Sequence, residues 1–296
     1  MNRSRNITSR PRRASAFTLV ELLVTMVIMS ILAGLSLSGL AASRQRAKID
    51  KTKSTIRKLH EIVLPQYESY LSRRVAGSTA AVRLKTLRLL MAQEMPDQWA
   101  DVYPKNSAVV SGTGTATAPT RRYTDYKNAL SPTVDYESAE CLAMIITRGG
   151  FAVDAMEVFR TDEMGDIDVD KAPEFWDGWG RPIEFIRWPA GFDSVVQPLS
   201  IATNPDPFDP TNASGGDYGL IPLIYSTGPD GATYDRKITP SDYTPSRTGG
   251  YLELEGSMSP PSLLSITTLT PLPGALTASG STDARNNITN HDLLKK

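Results

Sequence analysis

The chain is poor in the residues that build covalent staples and acid–base centres. Its 296 residues include one cysteine, Cys141, and two histidines, His60 and His291. A single cysteine excludes an intramolecular disulfide framework and any multi-cysteine zinc or iron–sulfur site. Two histidines far apart in sequence leave little from which to build a histidine-rich metal site or a His-Glu catalytic centre. Cys141 falls on the apolar side of a helical stretch with Leu142 and Ile145, as an inert buried thiol does. Absent too are a Gly-x-x-x-x-Gly-Lys-Ser/Thr loop, a dinucleotide fingerprint, a His-Glu-x-x-His helix and a Gly-x-Ser-x-Gly elbow. Carboxylates are abundant, but nothing selects a pair for glycoside hydrolysis. The expectation is a protein that is not an enzyme.

The net charge is zero, yet it is strongly segmented. Residues 1–16 hold five arginines and no acid, and residues 44–75 carry a net +6. Glu21 is the one charge between them, and residues 76–296 carry a net −10. An acidic main body argues against nucleic acid as a partner. With 40% apolar and 22% charged residues, the chain has the composition of a folded protein.

The stretch from Phe17 to Ala42 is apolar apart from Glu21 and small hydroxyl residues, and 22–40 is nineteen residues without a charge. About 20 residues span a bilayer. The arginines before this span keep the N-terminus cytoplasmic, although basic residues from Arg44 to Lys58 follow on the other side. Three readings compete. A cleaved secretory signal would end near Gly39-Leu40-Ala41, but the apolar run exceeds the usual 7–15 residues of such a segment. A plain membrane anchor is the second. The third turns on Phe17-Thr18-Leu19-Val20-Glu21-Leu22-Leu23-Val24.

That string resembles the prepilin motif of type IV pilins and type II secretion pseudopilins. The resemblance covers about the first 60 residues and implies cleavage by a prepilin peptidase between Ala16 and Phe17. It further implies N-methylation of Phe17 and an assembly role for Glu21. Implied partners are the peptidase, copies of this chain, other pilins or pseudopilins, and the inner membrane, with the C-terminal head in the periplasm or at the cell surface. Ala16 stands where the family usually has Gly, and Ser38, flanked by Gly34 and Gly39, where many members have a helix-loosening Pro. Removing residues 1–16 leaves 280, more than a typical major pseudopilin, which points to a minor or specialised subunit. Independently of the family, a lone carboxylate in a bilayer costs at least ~2.5–3.5 kcal/mol and marks function. An amine at Phe17, or that of a neighbouring subunit, offsets this cost. The alternative from another class is a membrane-anchored periplasmic binding or hydrolytic domain.

Beyond the span, Ile49, Ile56, Leu59, Ile62, Val63, Tyr67, Tyr70 and Leu71 recur at helical spacing and predict an amphipathic extension, kinked or interrupted at Pro65. Its basic face is either solvated or set against acidic heads of adjacent subunits. A second helix is expected over 79–95, a flexible loop over 105–120, and a third helix from Ser131-Pro132 to Gly149-Gly150. Strands are expected at 183–188, 195–201, 219–226 and 251–255. The fold class is α+β, with the long N-terminal helix packed on a small antiparallel sheet in the pilin manner. The expected parts are a leader (1–16), a transmembrane assembly helix (17–42), a periplasmic helical extension (43–75), a head (76–256) and a low-order tail (257–296).

Within the head, Asp177 with Trp179-Gly180-Arg181-Pro182 is similar to the Asp-Pro-Trp-Gly-x-Pro stretch of major pseudopilins. Tyr225-Ser226-Thr227-Gly228-Pro229-Asp230-Gly231 is similar to their Gly-Pro-Asp-Gly loop, which leads into a calcium site. The resemblance implies Ca²⁺ held by Asp230 and Asp235; the other reading is a Pro-Asp-Gly turn whose aspartate bonds its own backbone. Asp166-x-Asp168-x-Asp170 resembles the start of an EF-hand loop. Lys171 stands where that loop needs Gly and Asp177 where it needs Glu, so a solvated acidic loop is the expectation.

Overall fold

A computed structural model describes residues 18–102, 118–130, 132–133, 136–150, 157–229 and 287–294. The chain divides into two units, Met1–Arg46 and Ala47–Lys296. Helix α1, Leu19–Ser69, runs from the first into the second. The fold is α+β: a long, partly apolar helix followed by shorter helices and small antiparallel sheets.

In the first unit the helix is exposed from Leu19 to Arg44, with large apolar side chains from Leu19 to Leu40 facing outward on every side. A helix that is apolar all round normally lies inside a protein or a membrane. The helix continues through Gly34 and Gly39 without a break.

In the second unit the expected stripe is present. Ile56, Leu59, Val63, Tyr67 and Tyr70 are buried, Ile49 and Ile62 pack beside them, and Leu71 stays exposed. Pro65 does not interrupt the helix: α1 passes through it and ends four residues later, in a 3₁₀ turn at Tyr70–Ser72. The missing N–H removes one rung of the ladder, and the buried stripe on either side outweighs that loss.

Helix α2, Ala80–Glu94, starts where Thr79 accepts the Val82 N–H at 3.2 Å. Helix α3, Ala118–Ala129, overlaps the end of the segment expected to be a loop. Helix α4, Glu137–Arg148, begins later than Ser131-Pro132 suggested. Ahead of it the Thr133 N–H goes to Asp170 at 2.7 Å, and Tyr136 takes a left-handed φ of 60°. A side chain thus captures the backbone that would have opened an earlier turn. Residues 138–146 of α4 are all buried, so it is the central helix of the core.

Strands β1 (Met164–Gly165) and β2 (Glu174–Phe175) pair antiparallel. A second sheet is ordered β3 (Glu184–Ile186), β4 (Leu223–Ser226), β5 (Ile288–Thr289), also antiparallel. Phe185 lies opposite Ile224, and Ser226 opposite Ile288. Helix α4 packs on β2 and β3.

One strand expectation fails. Residues 195–201 form no strand, because Gln197 acts through its side chain. Its buried amide bonds the carbonyls of Pro189 and Phe192 and the N–H of Ile221. Residues 251–255 lie outside the described residues. The end of the chain also departs from the low-order tail expected over 257–296. Ile288–Thr289 complete the sheet, and Asn290 and His291 in the helical turn that follows are buried. Asn290 accepts the Ile224 N–H and donates to the Pro222 carbonyl, so this short segment is held by strand β4.

Candidate functional site

Ala16 and Phe17 lie outside the described residues; the site begins at Thr18. The Thr18 hydroxyl accepts the Glu21 N–H at 3.2 Å, and its carbonyl accepts the Leu22 N–H at 3.1 Å. Thr18 therefore caps helix α1, and Thr18-x-x-Glu21 is the sequence pattern of a capping box. The helix thus opens at Leu19, three residues after Ala16. Glu21 sits in its first turn, where a negative charge suits the helix dipole. The Thr18-x-x-Glu21 spacing is the local sequence signal of this cap, separate from the assembly role that the resemblance implies for Glu21.

The other polar side chains of the span are satisfied at home. Thr25 bonds the Leu22 carbonyl at 2.8 Å, Ser30 that of Met26 at 2.8 Å, Ser36 that of Leu32 at 2.8 Å and Ser38 that of Leu35 at 2.9 Å. Back-bonding of this kind hides hydroxyls from an apolar surrounding. The exposed Glu21 carboxylate forms no bond among the described residues. Among the described residues it is the one polar side chain of the span without a hydrogen bond.

The basic face that follows is partly used within the chain. Lys58 pairs with Glu163 at 2.9 Å and Lys51 with Asp162 at 2.9 Å. Burial raises the Glu163 pKa, but the Arg160 N–H, the Lys58 ammonium and the Thr55 hydroxyl outweigh it, so the carboxyl sits below its ordinary value. Lys48, Lys53 and Arg57 remain exposed.

Asp177 and the Trp-Gly-Arg-Pro stretch form a clamp. One Asp177 oxygen accepts the N–H groups of Trp179 and Arg181 at 2.7 and 2.9 Å; the other accepts the Ser226 hydroxyl at 2.7 Å. Arg181 reaches the Gly228 carbonyl. Gly180 takes a φ of +79°, which favours glycine. The Gly178 N–H donates to Thr52 of helix α1 at 2.8 Å, and a Cβ on Gly178 would stand 2.3 Å from the Lys48 carbonyl oxygen. The two resembling motifs are thus joined, and one is docked on the helix. Asp230 and Asp235 lie outside the described residues.

The two histidines, distant in sequence, approach each other in the fold. His60 lies 3.0 Å from Asn290, and the neighbouring His291 lies 2.9 Å from the Ser194 hydroxyl. The other His291 nitrogen faces the Ile221 carbonyl at 3.2 Å, where a hydrolase would hold a carboxylate. The ring is fully buried, and burial pushes its pKa down to about 4. This pair packs the last turn against the sheet. Cys141 is also fully buried, and burial first, then nearby carboxylates, push its thiol well up; it is unsuited to nucleophilic work.

Residues 11–37 match the family model described as the prokaryotic N-terminal methylation motif. No curated protein and no solved structure matches the chain. The described part of that segment, 18–37, builds a capped apolar helix whose first-turn acid has no partner among the described residues, and the chain carries the methylation motif characteristic of type IV pilins and pseudopilins.

Proposed function

We propose that the chain is a pilin-like structural subunit. In this reading a prepilin peptidase cuts between Ala16 and Phe17 and the new terminus is N-methylated. The apolar helix holds the subunit in the inner membrane with its head in the periplasm, and the subunit then polymerises into a pseudopilus or type IV pilus-like filament. The observation that supports this best is the contrast within 18–43. Fourteen large apolar side chains lie exposed there, and the Glu21 carboxylate has no partner among the described residues. Each apolar group is worth ~1.5–3 kcal/mol on leaving water, so this surface demands lipid or other helices.

A carboxylate in such a surrounding seeks a cation. Glu21 lies four positions after Phe17, so its own amine or that of the next subunit is a candidate cation. Pairing between subunits would fix their axial offset. The exposed Lys48, Lys53 and Arg57 supply a second contact, with the acidic heads of neighbours. Mass spectrometry of the mature N-terminus tests the reading. N-methyl-Phe17 is the expected result; an intact Met1, or a start near Ala42, overturns it in favour of a tethered domain.

A further inference from the structure

Five carboxylates gather where helix α4, the turn 166–170 and strand β2 meet. Glu140 stands on α4, Asp168 in the turn, and Glu174 opens β2. One oxygen of each lies within 4.8 Å of the other two, and Asp166, Asp168 and Asp170 form a second trio of the same spacing. The sequence offered the aspartates as the start of an EF-hand. The structure resolves that motif differently. Lys171 adopts a φ of 78°, the left-handed turn an EF-hand assigns to Gly. But Asp177, at the twelfth position, is taken by the Trp179–Arg181 clamp and Ser226. Asp166 and Asp170 hold the turn by accepting the N–H groups of Lys171 and Ala172 at 2.9 and 2.8 Å.

The remaining three carboxylates share one pattern. Each has one oxygen tied to a donor. Glu140 Oε2 accepts the Trp99 indole N–H, Asp168 Oδ2 the Thr133 hydroxyl at 2.7 Å, and Glu174 Oε2 the Ile167 N–H at 3.2 Å. The other oxygen of each, Glu140 Oε1, Asp168 Oδ1 and Glu174 Oε1, is buried and makes no hydrogen bond among the described residues, although the Trp176 indole, itself unbonded there, lies near enough to Glu174 to favour its charged form. Glu140 is 1% exposed and Glu174 fully buried. Buried polar atoms are almost always paired, and three orphan carboxylate oxygens in one cluster call for a common partner. Oxygen ligands without histidine or thiolate select a hard divalent cation. Ligands at 2.3–2.6 Å from calcium lie up to ~5 Å from each other, which accommodates the observed spacing.

We propose that Glu140, Asp168 and Glu174 form a calcium-class cation site that ties helix α4, the acidic turn and strand β2 together. The site lies wholly within the second unit and stands whether or not the chain forms filaments. It draws on neither Asp230 nor Asp235. Without a cation the arrangement is electrostatically poor. Burial first, then Asp170, Asp168 and Glu174, push Glu140 up to about 9, and burial, Asp168 and Asp166 push Glu174 up to about 7. A bound cation reverses that pressure. Asp168, only partly buried, leaves an opening through which water completes the coordination.

The test uses the full chain in detergent, stripped with chelator and dialysed, with calcium chloride as the probe and magnesium chloride as comparison. One calcium per chain is expected, tighter than magnesium, with Tm raised by roughly 5 °C or more at saturation. Glu140→Gln and Asp168→Asn should each weaken binding at least ~10-fold, as the loss of a charged ligand does. Asp168→Asn alters a partly exposed group and keeps the test open if the buried variant fails to fold. Asp230→Asn should leave binding intact. Calcium binding weaker than ~10 mM, beyond the range of extracellular calcium modules, overturns the proposal. So does binding that survives both cluster variants or disappears with Asp230→Asn.

Discussion

Two parts of one helix solve the same problem in opposite ways. From Leu19 to Arg46 every large apolar side chain of α1 is exposed and each bonded hydroxyl folds back on its own backbone. From Ala47 to Ser69 the apolar stripe is buried and the hydroxyls also reach outward. Thr52 accepts the Gly178 N–H at 2.8 Å, and Thr55 donates to Glu163 at 3.0 Å. The second part is completed by its own chain; the first is not. Changes in the first part should therefore disturb assembly and spare folding, and changes in the second should do the reverse.

The largest expected effect is on the assembly side. Glu21→Ala should insert normally and keep the head's Tm within ~1 °C, yet lose filament formation, scored by cross-linking and electron microscopy. Filaments at wild-type yield would break the comparison. Its counterpart is Arg187→Ala. The buried guanidinium bonds Asp101 at 2.9 Å and the Met95 carbonyl at 2.6 Å, and it stacks on Trp188 at 4.2 Å. Removing one partner of a buried charge set costs ~3–5 kcal/mol, so Tm should fall by roughly 10 °C in a calorimetric scan while membrane insertion persists.

A smaller effect is expected from His291, and it depends on pH. Burial pushes its pKa from 6.5 down to about 4. The folded state therefore favours the neutral ring. Its contribution is fully present above pH 6.5 and is lost as pH falls through about 4; at most roughly 3 kcal/mol is at stake. The difference in stability between wild type and His291→Gln should shrink across that window. Smaller again is Gly178→Ala. The new methyl would face the Lys48 carbonyl oxygen at 2.3 Å, and relief of the clash should cost ~1–3 kcal/mol of head stability, read from urea unfolding.

How much of this was legible in the sequence follows the same division. The first part reads directly: an uncharged run and one acid are local features, and the fold keeps them local. Helix α2, strands β3 and β4 and the buried stripe of α1 also follow from periodicity. What escaped is what depends on distant partners. Pro65 signals a break, but burial on both sides holds the helix through it. Ser131-Pro132 signals a helix start, but Asp170, 37 residues on, takes the Thr133 N–H. Residues 288–289 look like part of a polar tail, and only strand β4 makes them a strand. Glu140 carries no signal of its own in the sequence; its burial against Asp168 and Glu174 arises only when α4 packs on β2.

The smallest predicted effect sharpens the comparison most. Thr18 belongs to the first part, yet its hydroxyl does a folding task by accepting the Glu21 N–H. Thr18→Ala should cost about 1 kcal/mol of local helix stability, the usual effect of a lost N-cap. Amide exchange at Glu21 should then quicken roughly 5-fold in detergent, a factor set by that energy at room temperature, while the head's Tm stays fixed. Thr18→Ser should restore slow exchange because it keeps the acceptor. Filament yield should fall only modestly in Thr18→Ala, since the Glu21 carboxylate remains and only its mooring loosens. If Thr18→Ala abolished assembly as completely as Glu21→Ala, the acid would be acting through the order of the first helical turn and not through its charge, and the pairing of Glu21 with a neighbour's amine would lose its support.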